Sequence, residues 1–224
     1  MKSVALPLNN TSPTFPNIGV ELFNSFLNFS HSEALNFIKD NSVTHFQITT
    51  PTQNNFEKCQ QISREVCSVG IHSSFFSPLS MSHDWNHYEL LAARLKKLNP
   101  IYHIEHFACL RDDGLIKNAI CFGKMKNFKD KISFVSDSLN RYRDLISCEL
   151  FLENIPVTED VEWYYDFLYS VSERTYIPIN LDIPHLLISA VALEKKLPNA
   201  SFEFISKIKQ IKMIYRGSWF KGIT

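Results

Sequence analysis

Short apolar runs of four to six residues recur along this chain, and stretches with helical apolar spacing lie between them. Ile18–Phe23, Thr44–Thr49 and Ser68–Phe76 read as strands, followed by Ile101–Leu110, Glu149–Asn154, Ile177–Asp182 and Ile208–Tyr215. The intervening segments read as helices. Ser32 is placed to cap the first, which carries Ala34, Leu35, Phe37 and Ile38 on its apolar side. The others are Asn55–Val66, His87–Leu98, Phe128–Ser147, a segment opened by Thr158-Glu-Asp with Trp163, Tyr164, Phe167 and Leu168, and Leu186–Leu197. Regular alternation of strand and helix predicts parallel strands joined by right-handed crossovers. The expected fold is therefore α/β: a TIM-type (β/α) barrel of about seven parallel strands with outer helices. Residues 1–16, rich in Asn, Thr, Ser and Pro, read as an extended N-terminal arm before a single barrel domain over 17–224.

Strand C-termini converge on one face in such a fold, so residues far apart in sequence can share a site there. Four predicted strands end in residues able to bind a metal. They are Gly70-Ile-His72, Tyr102-His-Ile-Glu-His106, Cys148-Glu-Leu-Phe-Leu-Glu153-Asn154 and Ile177-Pro-Ile-Asn-Leu-Asp182. His185 follows Asp182 by three positions, at the turn into the next helix. His103 and His106 are also three apart, but on a strand that spacing sends them to opposite faces, so His106 is the candidate and His103 a structural residue. Glu153 closes an apolar run, where an unpaired carboxylate is costly. His72, His106, Glu153, Asp182 and His185 thus form a mixed imidazole and carboxylate set suited to non-heme iron, manganese or zinc. His31, His83 and His87 lie in polar contexts and receive no catalytic role.

Composition narrows the options. The chain of 224 residues is 45% apolar with formal net charge zero, enough for one sizeable core and no lure for nucleic acid. Six glycines include no phosphate-binding loop, and common hydrolase motifs are absent. Five cysteines without C-x-x-C spacing argue against a disulfide framework and point to a reducing, cytoplasmic setting. No segment approaches the roughly 20 apolar residues of a membrane span.

In order and spacing, these segments resemble the multinuclear non-heme iron-dependent oxidative enzymes, the family of the methanobactin-biosynthesis iron oxidase. The likeness runs from about Ile18 to Ala190. It rests on the Ile-His72 strand, on Tyr102-His-Ile-Glu-His106, on Leu152-Glu-Asn-Ile-Pro156 and on Asn180-Leu-Asp182-Ile-Pro-His185. The resemblance implies a TIM-type barrel with iron held at strand C-termini by His72, His106, Glu153 and Asp182, with His185 where the family usually has Asn. It also implies oxidation of cysteine-containing residues in a ribosomally made peptide, with a small partner protein. A family glutamate on the second strand is Gln47 here, and the seventh-strand His motif reads Ile214-Tyr-Arg-Gly217. Those differences, and an end at Thr224 before an eighth strand, imply a reduced set of ligands and an open edge. That edge is expected to be covered by Val4-Ala-Leu-Pro-Leu8 or by self-association. Two other readings compete: a degenerate barrel serving as a non-catalytic binding or scaffold partner, and another divalent-metal barrel enzyme such as a sugar isomerase or an abasic-site endonuclease. The neutral charge disfavours the endonuclease.

Overall fold

The computed structural model describes residues 19–22, 30–41, 43–49, 56–65, 67–80, 82–108, 111–112, 115–116, 128–157, 162–192 and 211–215. The expected arm over residues 1–16, with its Val4–Leu8 plug, and Cys109 and Cys121 lie outside these residues. Seven strands form one parallel sheet: β1 (Gly19–Leu22), β2 (His45–Thr49), β3 (Ser68–Ser73), β4 (Tyr102–His106), β7 (Glu149–Glu153), β8 (Ile179–Asp182) and β9 (Ile211–Tyr215). They pair in chain order, so every neighbour is the next main strand along. A short antiparallel hairpin, β5 (Arg111–Asp112) with β6 (Leu115–Ile116), interrupts the β4–β7 crossover. Among the described residues the helices are α1 (His31–Asn41), α2 (Phe56–Glu65), α3 (Trp85–Lys96), α4 (Phe128–Leu145), α5 (Glu162–Thr175) and α6 (Ile183–Ala192). This is an incomplete (β/α) barrel, with β1 and β9 at the two ends of the sheet among the described residues. Among the described residues no helix is long and apolar enough to cross a membrane.

Local chemistry moved several expected boundaries. Ser30, not Ser32, starts α1: Glu33 N donates to Ser30 Oγ at 3.3 Å and Ser30 N donates to Glu33 Oε2 at 2.7 Å, a reciprocal capping box. Asp84 caps α3 by accepting from His87 N at 3.2 Å, which begins the helix two residues earlier than its apolar pattern suggests. Asp182 Oδ1 accepts from His185 N at 2.8 Å, so α6 begins directly at the end of β8 rather than at Leu186. Pro184 suits that first turn, because it has no backbone N–H to leave unpaired.

The sheet separates two environments. Its outer face carries Phe46, Ile48, Val69, Ile71, Leu150, Leu152, Ile179 and Leu181, all buried. They belong to two apolar clusters that also hold helix residues such as Ile62, Leu95, Leu139, Phe167 and Leu168. Each such side chain contributes about 1.5–3 kcal/mol by leaving water. The inner face is different. Tyr102, Ile104 and Phe151 form a small apolar cluster there, and polar side chains surround it.

Tyr102 reaches across β3, and Gly70 makes this possible. A Cβ at Gly70 would sit 2.1 Å from Tyr102 Cζ. The ring cannot easily yield, because its hydroxyl bonds Gln47 Oε1 at 3.2 Å and His45 Nε2 at 3.0 Å. Gly70→Ala should therefore destabilise the protein by about 1–3 kcal/mol, the usual cost of overpacking. A Gly70→Ala/Tyr102→Leu double variant should lose less than the two single losses added. Urea denaturation of the four proteins checks this.

Candidate metal centre

Alternation along each strand decides which side chains meet. In the parallel register His72 lies beside Ile104, His106 beside Glu153, and Glu153 beside Asn180. Partners in a parallel ladder project to the same side. His72, His106, Glu153, Asn180 and Asp182 therefore share the inner face at the strand C-terminal ends. His185 joins them from the first turn of α6. His103 points the other way, as its spacing from His106 requires: its Nε2 bonds Ser73 Oγ at 2.6 Å on the helix-covered side.

Glu153 is the centre of the group. It is fully buried, and its two oxygens face three imidazoles. His72 Nε2 lies 3.1 Å from Oε2, while His106 Nε2 and His185 Nδ1 each lie 3.5 Å from Oε1. His185 Nδ1 is also 3.7 Å from Asp182 Oδ2. Two sets of three donors result, His72/His106/Glu153 and Glu153/Asp182/His185, each with ligand atoms within 4.8 Å of one another. Glu153 belongs to both.

Hydrogen bonds from behind orient the rings. His106 Nδ1 lies 3.1 Å from Ser73 O and 2.7 Å from Ser74 Oγ. A carbonyl only accepts, so Nδ1 carries the proton and the Nε2 lone pair points at the carboxylate. His185 Nδ1 lies 2.7 Å from Asn154 O and is likewise a donor, so the unprotonated nitrogen of that ring is Nε2, while Nδ1 is the atom facing Glu153 and Asp182. Asn154 also clamps the end of β8: its Nδ2 donates to Asp182 O at 3.0 Å and its Oδ1 accepts from Asp182 N at 2.7 Å. Asn180 Nδ2 donates to Glu153 Oε2 at 2.6 Å. The sequence reading missed Asn180, although its place two residues before Asp182 on one strand puts both on the same face.

The electrostatics follow from burial and neighbours. Burial alone would raise the Glu153 pKa. The His72 hydrogen bond and the adjacent His72, His106 and His185 rings outweigh it and hold the carboxyl below its ordinary range. Burial raises the Asp182 pKa against the opposing pull of the His185 ring and backbone N–H. Burial lowers the His106 pKa despite Glu153 beside it, so the ring is neutral and its nitrogen free to bind.

The donor set fits a divalent cation. Glu153 Oε1 is buried and has no hydrogen bond among the described residues. Facing it at 3.5 Å is the His106 Nε2 lone pair, an acceptor opposite an acceptor. A positive ion between them turns that repulsion into attraction. Neutral imidazoles with carboxylates suit zinc, manganese, cobalt or iron alike and single out none of them.

The fold is shared with solved sugar epimerases. A 3-keto-D-glucoside 4-epimerase from E. coli, in its apo form, superposes with a TM-score of 0.54 at 14% identity, over 88% of this chain and 76% of that one. A D-psicose 3-epimerase from Clostridium cellulolyticum H10, solved with D-tagatose, gives 0.52 at 13% identity, over 88% and 71%. A D-psicose 3-epimerase solved in the presence of D-fructose gives 0.55 at 11%, over 89% and 72%. No protein-family model and no curated protein matches the chain. At these identities the likeness establishes the barrel architecture.

These matches correct the expected kinship with the multinuclear iron-dependent oxidative enzymes. The three structures described above are named as epimerases, and none of their names points to iron, oxidation or a peptide substrate. The physical reason is that the motifs were too short to separate families. Parallel barrels of unrelated function gather His, Glu and Asp at their strand ends, so short strand-end motifs report the architecture rather than the family.

Acid should destabilise the metal-free protein. Burial lowers the pKa of His106 and takes that of His83 to about 4. A depressed folded pKa gives stability that is complete above the unfolded value, about 6.5, and is lost as pH falls towards the folded one. Glu153 adds the same trend below about 4.5. His83 stacks on Phe76 with ring centroids 4.7 Å apart and lies outside the centre. Urea titrations between pH 7 and 4 in the presence of a chelator should show falling stability, and His83→Phe should flatten the slope by up to about one proton.

Proposed function

We propose that this chain is a divalent-metal-dependent isomerase or epimerase acting on a small carbohydrate. The observation that carries the proposal is Glu153, a buried carboxylate at the C-terminal end of a barrel strand, ringed by His72, His106 and His185, with one oxygen that no described residue hydrogen-bonds. The fold likeness to sugar epimerases supports the choice of substrate class.

His72, His106, Glu153, Asp182 and His185 would hold the metal. A bound divalent cation supplies Lewis acidity to a carbonyl and its neighbouring hydroxyl. The protein supplies the rest. Asn180 and the imidazoles keep Glu153 ionised and in place. Asp182 Oδ1 is tied to the start of α6, which fixes the carboxylate and leaves Oδ2 as its donor oxygen beside His185. Ser73 and Ser74 hold the proton on Nδ1 of His106, which keeps its Nε2 turned to the centre, and Asn154 O fixes the His185 ring through its Nδ1.

Two measurements test this. Elemental analysis of protein loaded with zinc, manganese or cobalt should find one or two ions per chain, one for each donor set that includes Glu153. Glu153→Gln should lose the metal. The loaded protein, incubated with ketohexoses and ketopentoses in deuterated water, should incorporate deuterium at the carbon next to the carbonyl. Metal retention by Glu153→Gln would overturn the centre. Full metal loading without exchange into any ketose would overturn the carbohydrate reading.

A further inference from the structure

Behind the centre, the inner face of the sheet holds a continuous polar chain that the proposed activity does not use. His72 Nδ1 lies 3.2 Å from Gln47 Nε2. Tyr102 OH donates to Gln47 Oε1 at 3.2 Å. His45 Nε2 lies 3.0 Å from Tyr102 OH, and His45 Nδ1 lies 3.1 Å from Thr44 Oγ1. The chain runs from a candidate ligand, through buried Gln47 and Tyr102, to half-exposed His45. Its span covers β2, β3 and β4.

Proton accounting gives this chain a direction. The Gln47 amide nitrogen only donates, so His72 Nδ1 accepts and His72 carries its proton on Nε2, towards Glu153 Oε2 at 3.1 Å. The Tyr102 proton is committed to Gln47, so His45 Nε2 must donate to the phenol oxygen. His45 is then an Nε2–H tautomer, with Nδ1 accepting from Thr44. Burial keeps the His45 pKa low and the ring neutral. With its proton on Nε2, His72 cannot ligate a metal through that atom.

We propose that Gln47 is the positioning residue for His72, and that loading the centre with a metal reverses the whole chain out to His45. The inference rests on the metal reading above. Binding at His72 Nε2 requires its proton on Nδ1. The Gln47 amide then turns over so that Oε1 accepts from Nδ1–H and Nε2 donates to the Tyr102 oxygen. The Tyr102 hydroxyl swings to donate to His45 Nε2, and the His45 proton moves to Nδ1, facing Thr44 Oγ1. Both rings stay neutral, every bond keeps one donor and one acceptor, and no proton is gained or lost by the chain. Glutamine is suited to this place because an amide both donates and accepts and can exchange the two by a half-turn. Apolar Ile104 and Phe151 pack with Tyr102 and favour keeping the bonds within the chain.

Nitrogen-15 NMR of the histidine rings tests the proposal, with isothermal titration of zinc into chelator-stripped protein to establish loading. In the metal-free protein His45 should show a protonated Nε2 and a bare Nδ1. On stoichiometric zinc the two signatures should exchange at His45 while His72 Nε2 shifts as a ligand. Gln47→Glu separates the links. A carboxylate only accepts, so it should hold His72 as the Nδ1–H tautomer before zinc is added, keep the Tyr102 proton, and leave His45 unchanged on loading. Gln47→Ala should weaken zinc binding about 10–100-fold, the usual cost of losing a residue that orients a ligand. Zinc binding with no tautomer change at His45 in the wild type would overturn the relay and leave the metal centre standing. An equal change at His45 in Gln47→Glu would also overturn it. Failure of zinc to bind at all would remove both readings together.

Discussion

A buried carboxylate governs this structure. Removing an ionised group from water costs several kcal/mol unless opposite charge or hydrogen bonds replace the lost hydration. Glu153 has no solvent contact, and its immediate neighbours are Asn180, His72, His106 and His185. Those groups come from β3, β4, β8 and α6, so the strand register must be correct for the carboxylate to be tolerated. One residue's shift along β7 would turn Glu153 into the apolar helix-facing layer. The two clusters outside the sheet and the polar group inside it therefore enforce the same pairing.

That coupling also explains the division of labour between the faces of β4. His103 and Glu105 face outward, where Glu105 accepts from Ser73 Oγ at 2.9 Å and from Phe76 N at 3.2 Å. These bonds fix the segment after β3. The same segment presents Ser73 O and Ser74 Oγ to His106 on the inward face. A polar network hidden under the helices thus supports the chemistry on the opposite side of the sheet.

Much of the architecture was legible from residues alone. Short runs rich in apolar residues placed all seven parallel strands, because the outer face of the sheet is buried under helices. The strand-end rule pointed to His72, His106, Glu153 and Asp182, whose side chains share the inner face, and set His103 on the other face by parity. Starts of helices were harder. Ser30, Asp84 and Asp182 cap through side-chain bonds that apolar periodicity does not register. The hairpin at Arg111–Ile116 went unseen because strands of two residues carry no pattern. Asn180 and Gln47 were undervalued because a neutral amide gains meaning only from what it faces. Kinship was misjudged for a related reason: strand-end donors report the architecture that gathers them, and the chemistry is decided by what surrounds them.

Asp182 is both the last residue of the β8 strand and the acceptor that starts α6, and His185 stands three residues on. Each residue of an α-helix turns the side chain by about 100°. One residue added or removed between Asp182 and His185 would leave the composition of the centre intact yet swing the imidazole around the helix axis and away from Glu153. The interval between these two residues is thus as binding as their identities, and strand, helix and centre can change only together.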